Sequence, residues 1–379
     1  MTQLAVDLPE LERRSRPVLN LLAYDVIVIC SSAGKDSIAL LAYVAELIGV
    51  QGYRGRVVVL HNHLGTTASG EPVEWQNVAE LAREHAAHYG FEFVVRTRPG
   101  GDLMEQLLGE RRRWPANNAR WCTSDQKEGP SMTWITEAVT EFWQQLGVPA
   151  DRPVEVLYCL GLRGQESAGR AAQPIVQVNE RRSSGNRRIT RWLPIRDWTI
   201  TDVWTMIKKS GLRAHAAYTW GMLRLSCSLC VLATAEDLML AAALRPALAA
   251  DYLAAEIELG ERFTERLSMQ EIVTALDAAR REDLDDHHGA AEAALALYEL
   301  VREHLASTPV ARGEGVTASG RPRRPWTAQQ LTGRATARTS ELLSAARRAV
   351  TLAARADTSA PILPPLDDAT AALLARASR

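Results

Sequence analysis

The chain has 379 residues, with 44 Lys plus Arg against 45 Asp plus Glu, 46% hydrophobic and 23% charged. That length suits one large α/β domain with a smaller appendage, and the near-zero net charge excludes binding of nucleic acid by bulk electrostatics. No stretch reaches the apolar length of a membrane span and the acidic, polar start is no signal peptide, so a cytoplasmic protein is expected, whose five cysteines serve thiol, persulfide or metal chemistry rather than disulfides.

Residues 1–20 read as a polar arm or short helix. Residues 26–30, VIVIC, form the continuous apolar run of a strand buried on both faces. Small residues at 31–37 break the run, and a helix is expected over 38–48. A strand that turns through such a loop into a helix leaves N–H groups unpaired beside the positive end of the helix dipole, which makes an anion cradle suited to phosphate. The cradle consists of Ser31, Ser32, Ala33, Gly34, Lys35, Asp36 and Ser37. Lys35 adds a point charge, the serines add hydroxyls, and Asp36 is a carboxylate able to hold Mg²⁺ against the phosphates. It is no Walker A loop, because Ile29 stands where that motif needs Gly and Asp36 where it needs Ser or Thr.

Further strands are expected at 56–60, 91–95 and 154–160, with helices at 73–89, 102–113 and 132–146; Gly90 is placed to end the first of these helices. This alternation predicts an α/β fold, a doubly wound parallel sheet whose ligands bind beyond the strand carboxyl ends. Residues 161–170, GLRGQESAGR, follow such an end. Arg163 and Glu166 are therefore expected to face the same crevice as the first loop, and a planar guanidinium there suits phosphate. Residues 173–192 carry Arg181, Arg182, Arg187, Arg188 and Arg191 and read as two short strands joined by a basic loop, either a solvated hairpin or a local nucleic-acid contact. A helix start follows at Thr201-Asp202. From 233 to 379 the chain is an Ala-rich helical C-terminal region, interrupted near 282–289, by a Gly/Pro/Arg linker at 311–326 and by prolines around 361–365. The expected division is thus an arm at 1–20, an α/β domain at 21–232 and a helical region at 233–379.

Residues 32–37, SAGKDS, resemble the PP-loop of the ATP pyrophosphatases, Ser-Gly-Gly-x-Asp-Ser, with Ala33 replacing the first Gly. Four more segments, in order over residues 22–235, resemble the phosphoadenosine phosphosulfate reductase-like branch of that family. They are Arg120 and Cys122 with Lys127 and Pro130; Gly161 and Arg163 with Glu166, Ser167 and Arg170; Trp192 and Pro194 with Asp202, Val203 and Trp204; and Tyr218, Gly221 and Arg224 before Cys227 and Cys230. The resemblance implies an adenine nucleotide α-hydrolase-like (HUP-type) fold and cleavage of ATP between its α and β phosphates. Lys35, Asp36 and Arg163 would be catalytic. Residues 31–37 with Lys127, Gly161, Arg163 and Glu166 would bind the nucleotide, and Asp36 would place Mg²⁺.

Within this branch, sulfonucleotide reductases carry their attacking cysteine in a C-terminal tail and tend to lose the loop Asp. Here the last cysteine is Cys230 and Asp36 is retained. That combination resembles the proteins of bacterial DNA phosphorothioation, the DndC and SspD type, and implies ATP-activated sulfur insertion with a cysteine desulfurase and other modification proteins as partners. DNA would be met through those partners or through the Arg181–Arg191 loop, and a homo-oligomer is left open. Thiolation of tRNA or of a small molecule, and a non-catalytic ATP-sensing adaptor, are the alternatives. Cys122, Cys227 and Cys230 have three readings: ligands of an iron–sulfur cluster or other metal, a persulfide relay, or packed thiols. Cys30 and Cys159 are expected in the core, with Cys159 a candidate fourth ligand. His61, Asn62 and His63 are expected in the loop where relatives have Asp-Thr-Gly, with His63 facing solvent.

Overall fold

A computed structural model describes residues 18–146, 152–317 and 319–378. Most of the expected arm, residues 1–17, lies outside the described residues. The first strand, β1 (Val26–Cys30), runs through the loop into α1 (Lys35–Gln51), followed by β2 (Arg56–Asn62), α2 (Val78–His88) and β3 (Glu92–Arg96). After α3 (Gly129–Leu146) come β4 (Val154–Cys159), β5 (Val176–Val178) and β6 (Arg187–Trp192). Together they form one six-stranded sheet of order β3-β2-β1-β4-β6-β5, parallel except for the edge strand β5. The chain builds outward from β1 through β2 to β3 and then crosses to β4 on the other side. The crevice between the carboxyl ends of β1 and β4 is therefore the switch point at which such sheets bind ligands.

The period-2 pattern of β1 divides the core in two. Ile27 and Ile29 face a core shared with α1, while Val26 and Val28 face a second core in which Met132, Trp134 and Ile135 of α3 cover the other side of the sheet. The helices α4 (Ile200–Ser210), α5 (Ala235–Leu244), α6 (Pro246–Leu259), α7 (Met269–Asp283), α8 (His287–Ser307), α9 (Ala328–Arg355) and α10 (Asp368–Ala377) make up the rest. Apolar residues from these helices join the α1-side core, and α10 packs on α4. The helical C-terminal region is thus built onto one face of the sheet. No single helix among the described residues is long and apolar enough to cross a membrane.

Several element ends differ from expectation for local reasons. Helix α1 begins at Lys35 rather than 38, because polar residues open its first turn and Gly34 caps it; Gly52, at φ +66°, closes it. Strand β2 continues to Asn62, so His61 and Asn62 lie at a strand end and not in a loop. Helix α2 starts only at Val78, because the preceding stretch is extended and Glu74 bridges to Cys227. The expected helix at 102–113 is a single α turn, capped by Asp102, that widens into π turns over Gln106–Arg111. A second π segment, Ser124–Glu128, carries Lys127. Such segments re-aim side chains out of helical register and recur at functional sites.

Candidate functional site

The loop after β1 folds back on itself. The N–H of Ser32 donates to Ser37 Oγ (3.3 Å) and the Ser37 hydroxyl donates to the Gly34 carbonyl (2.8 Å). Ala33 sits at φ +52°, in the left-handed region, at the position where the PP-loop pattern has Gly. Gly34 has an ordinary φ of −78°, so its lack of a side chain serves close approach instead. A Cβ there would lie 2.9 Å from the Leu225 carbonyl oxygen. Gly161, after β4, is equally constrained, since its Cβ would lie 2.9 Å from the Asp36 carbonyl oxygen. Tyr218 completes the seam: its hydroxyl accepts the Lys35 N–H at 2.8 Å. The loops at 31–37, 161–170 and 218–226 therefore meet at the start of α1, where first-turn N–H groups lack intrahelical partners.

They enclose a cavity of about 380 Å³ at the switch point, a size suited to a small ligand. Its wall includes Ser31, Ser32, Gly34, Lys35, Asp36 and Ser37 of the cradle. It also includes Gly161, Glu166, Arg170, Arg191 and Arg224 at the mouth and Lys127, Glu74 and Asn62 deeper in. Cations outnumber carboxylates along this wall. Burial depresses Lys35, whose Nζ donates to the Leu223 carbonyl (2.9 Å) and lies 3.4 Å from Asp36. Burial likewise lowers Arg170, and the nearby Arg224, Arg120 and Arg163 guanidinium groups lower it further. Glu166 is shared between Arg170 and Arg224, the latter at 2.9 Å. Crowded cations that depress one another gain from an incoming anion, the condition a polyphosphate site requires.

Deeper in, His61 donates from Nδ1 to the Ser31 carbonyl (2.9 Å), and its Nε2 lies 3.3 Å from the buried carboxylate of Glu74. Burial opposes charge on both, yet the pairing raises His61 and lowers Glu74, so each favours the charged form of the other under the cradle. Lys127 is held protonated against burial by Cys227, Glu74, Cys122 and Cys230 around it. Within that group Cys227 donates its S–H to Cys230. The hydrogen bond brings the Cys230 thiol down to about 5, with Lys127 and Arg224 also favouring its anion, while Cys227 is pushed well up. Burial raises Cys122. The pairing therefore favours one thiolate in the Cys227–Cys230 pair, beside the Lys127 ammonium.

This loop is fixed from outside the α/β core. The Arg245 guanidinium, at the junction of α5 and α6, donates to the Ser228 hydroxyl (2.5 Å), the Pro72 carbonyl (2.7 Å) and the Glu74 carbonyl, and pairs with Glu71 at 2.9 Å. It clamps the strand-like stretch at 71–74 to the cysteine loop.

The structure brings most of the expected residues together and sets some apart. Ala33 is fully buried behind the cradle. Arg163 is buried as well, engaged with Asp36 and with Gln165 (2.7 Å), and lines a neighbouring cavity with Lys35 and Arg224 instead of the main one. The Asp36 carboxylate is thus held by two cations, and Mg²⁺ there would have to displace Arg163. Cys159 lies in the α1-side core with Cys30 as its thiol neighbour, apart from the Lys127 group. Cys30 is half-buried on the cavity wall, with its thiol pushed up to about 12 by burial. His63 is half-buried and its Nδ1 accepts the Gly65 N–H at 3.0 Å. Among the described residues, no three or more His, Cys, Asp and Glu side chains converge in a metal-holding geometry. Cys122, Cys227 and Cys230 surround the Lys127 ammonium, and an iron–sulfur cluster held by these three thiols would take its fourth ligand from elsewhere.

In the hairpin β5–β6, Arg182 donates to Glu128 (3.0 Å), Arg187 to the Arg182 carbonyl (3.0 Å) and Arg191 to Gln177 (3.0 Å). Glu74 and Arg245 were not expected at the site, and Arg191, expected in the basic loop, lines the cavity wall instead. Glu74 and Arg245 carry no spacing signal, because their partners lie far along the chain.

The phosphoadenosine phosphosulfate reductase domain model matches residues 26–233. An uncharacterised 37.8 kDa protein from the gpa 5′ region of Escherichia phage 186 is 26% identical over 167 residues, 44% of this chain and 46% of that protein. The chain thus spans about half the length of this curated relative. Among solved structures, phosphoadenylyl-sulfate reductase from Candida auris, a phosphate complex, is 17% identical with a TM-score of 0.33, covering 60% of this chain and 90% of the other. Candida glabrata FMN adenylyltransferase, with FAD and inorganic pyrophosphate, is 12% identical with a TM-score of 0.35, covering 59% and 67%. With more than half of its length matched, and with the β1 loop, the residue 161–170 loop and the Cys227–Cys230 loop meeting at one switch point, the chain belongs to the phosphoadenosine phosphosulfate reductase domain family.

Proposed function

We propose that this protein cleaves ATP between its α and β phosphates and uses the adenylate to prepare a phosphate oxygen for replacement by sulfur, with DNA as the substrate that bears the phosphate. The observation that supports this reading is the adjacency of an anion cradle and a thiolate: Lys127, Glu74 and Ser226 wall the cavity and also neighbour the Cys227–Cys230 pair. Gly34, Ser32, Lys35 and Ser37 would hold the β and γ phosphates, with Gly161 keeping the adjoining loop close. Lys127 and Glu166 would border the rest of the nucleotide. Asp36 would hold Mg²⁺ once Arg163 turns from it to the phosphates, where its charge would oppose that developing on the leaving pyrophosphate.

In the first step a substrate phosphate oxygen attacks the α phosphorus and pyrophosphate leaves. A persulfide on Cys230, supplied by a cysteine desulfurase, then attacks the activated phosphorus through its outer sulfur and AMP leaves. Cys227 attacks Cys230 Sγ, releasing the phosphorothioate and forming a disulfide that a dithiol reductant returns to two thiols. Lys127 would stabilise the sulfur anions throughout. The test is product identification after incubation with ATP and Mg²⁺. AMP plus pyrophosphate is the expected pair, whereas ADP plus orthophosphate refutes the reading. Ser32→Ala should abolish turnover with an unchanged melting temperature, and Asp36→Ala should abolish it while lowering the melting temperature, because Arg163 and Lys35 lose their carboxylate.

A further inference from the structure

The stretch from Arg312 to Arg355 holds nine arginines, no lysine and two glutamates, in a chain of 44 Lys plus Arg and 45 Asp plus Glu. It begins as a Gly- and Pro-rich turn closed by the Val316–Pro322 bridge and runs into α9. Arg312, Arg321 and Arg324 are exposed and have no acidic partner among the described residues. Arg323 braces the turn through the Val316 carbonyl (3.0 Å), and Arg334 of α9 lies 4.2 Å over the Trp326 ring, tying turn to helix. At about 100° per residue, Arg334, Arg338, Arg348 and Arg355 fall within roughly 100° of arc, and at about 1.5 Å per residue they span roughly 31 Å. Among the described residues, Arg338 alone of these four has a carboxylate partner, Glu341 at 3.0 Å.

The remaining exposed positions decide what this stripe fits. Gln329, Gln330, Thr332, Thr336 and Ser340 are uncharged and hydrogen-bonding, while Glu341 and Leu352 are also exposed and lie among the arginines. The apolar face of α9, with Leu342, Ala346 and Ala349, is already packed on its helical neighbours. A membrane-surface helix needs a free apolar face, which α9 lacks. Arginine interspersed with Thr, Ser and Gln is the side-chain set that binds nucleic-acid phosphates, and the stripe is close to the roughly 34 Å of one duplex turn. Arg338 also lines a groove of about 810 Å³ that passes Asn117, Asn118 and Val231, the last of these next to Cys230. A backbone held on α9 would therefore lead toward the thiol loop.

We propose that Arg312, Arg321 and Arg324 together with the arginine stripe of α9 form a docking surface for the phosphate backbone of duplex DNA; the choice of DNA among polyanions rests on the function proposed above. The experiment is an anisotropy titration of the full chain against a labelled mixed-sequence DNA duplex between 50 and 200 mM salt. The variant R321Q/R324Q/R348Q/R355Q removes four exposed charges and no catalytic group. Each phosphate deprived of its arginine should make the log–log salt slope shallower by about 0.9, so the slope should fall by up to about 3.6 and affinity at 100 mM salt by about tenfold or more. An unchanged slope overturns the proposal. So does loss of binding in R181Q/R188Q with the C-terminal variant intact, or tighter binding to duplex RNA or anionic vesicles than to DNA. AMP formation is assayed separately: if it is absent while the salt response persists, the enzymatic reading falls and the docking surface stands.

Discussion

Replacing Arg245 with Met tests whether the cysteine loop depends on a clamp from the C-terminal helices. Arg245 is 5% exposed and serves two carbonyls, a hydroxyl and a carboxylate on two separate chain segments. Met fills much of the volume but donates nothing. The Pro72 and Glu74 carbonyls and the Ser228 hydroxyl would then be left without that donor, and each buried group so stranded costs about 1–3 kcal/mol. A combined loss of about 3–5 kcal/mol matches the cost of removing one member of a buried ionic network. For a chain of this length the unfolding entropy is about 0.8 kcal/mol/K, so the melting temperature should fall by about 4–6 °C. Calorimetry measures that drop, and the pH profile of Cys230 alkylation reports whether the thiol loop has loosened. Lys at 245 should recover less than half, because one ammonium cannot reach acceptors on both sides. A melting temperature within about 1 °C of the parent, with the same alkylation profile, would refute the clamp.

Cys230 should react with iodoacetamide with a midpoint near pH 5, far below the value of about 8.5 of an ordinary thiol. Cys227→Ala removes the S–H donor and should move that midpoint up by more than about one unit; a midpoint that stays put would remove the hydrogen bond as its cause. Gly34→Ala should cost about 1–3 kcal/mol and weaken nucleotide binding, since the Leu225 backbone must move. Gly49→Ala, with open space around its Cβ, should instead gain about 0.5–1 kcal/mol. Equal melting temperatures for these two variants would contradict the close-approach argument.

The strands and the cradle were legible because their signals are local. Continuous apolar runs mark strands covered on both faces, and residues 32–37 carry the small residues, Lys and Asp side by side. The alternation of strands and helices likewise determined a doubly wound sheet, and with it a ligand crevice beyond the strand ends. The extended stretch before α2 was not legible, because its bridge to Cys227 joins segments about 150 residues apart. Nor were the π turns, whose widened register leaves no mark in hydrophobic period. The amino-acid sequence by itself thus determined the sheet, the phosphate-type loop and the grouping of arginines and cysteines after β4. Tertiary structure alone decided that Arg163 pairs with Asp36, that Glu74 and His61 meet in a buried contact under the cradle, and that Lys127 sits among the thiols. Charge pairing depends on burial and distance, and both are set by packing between segments that have no fixed spacing along the chain.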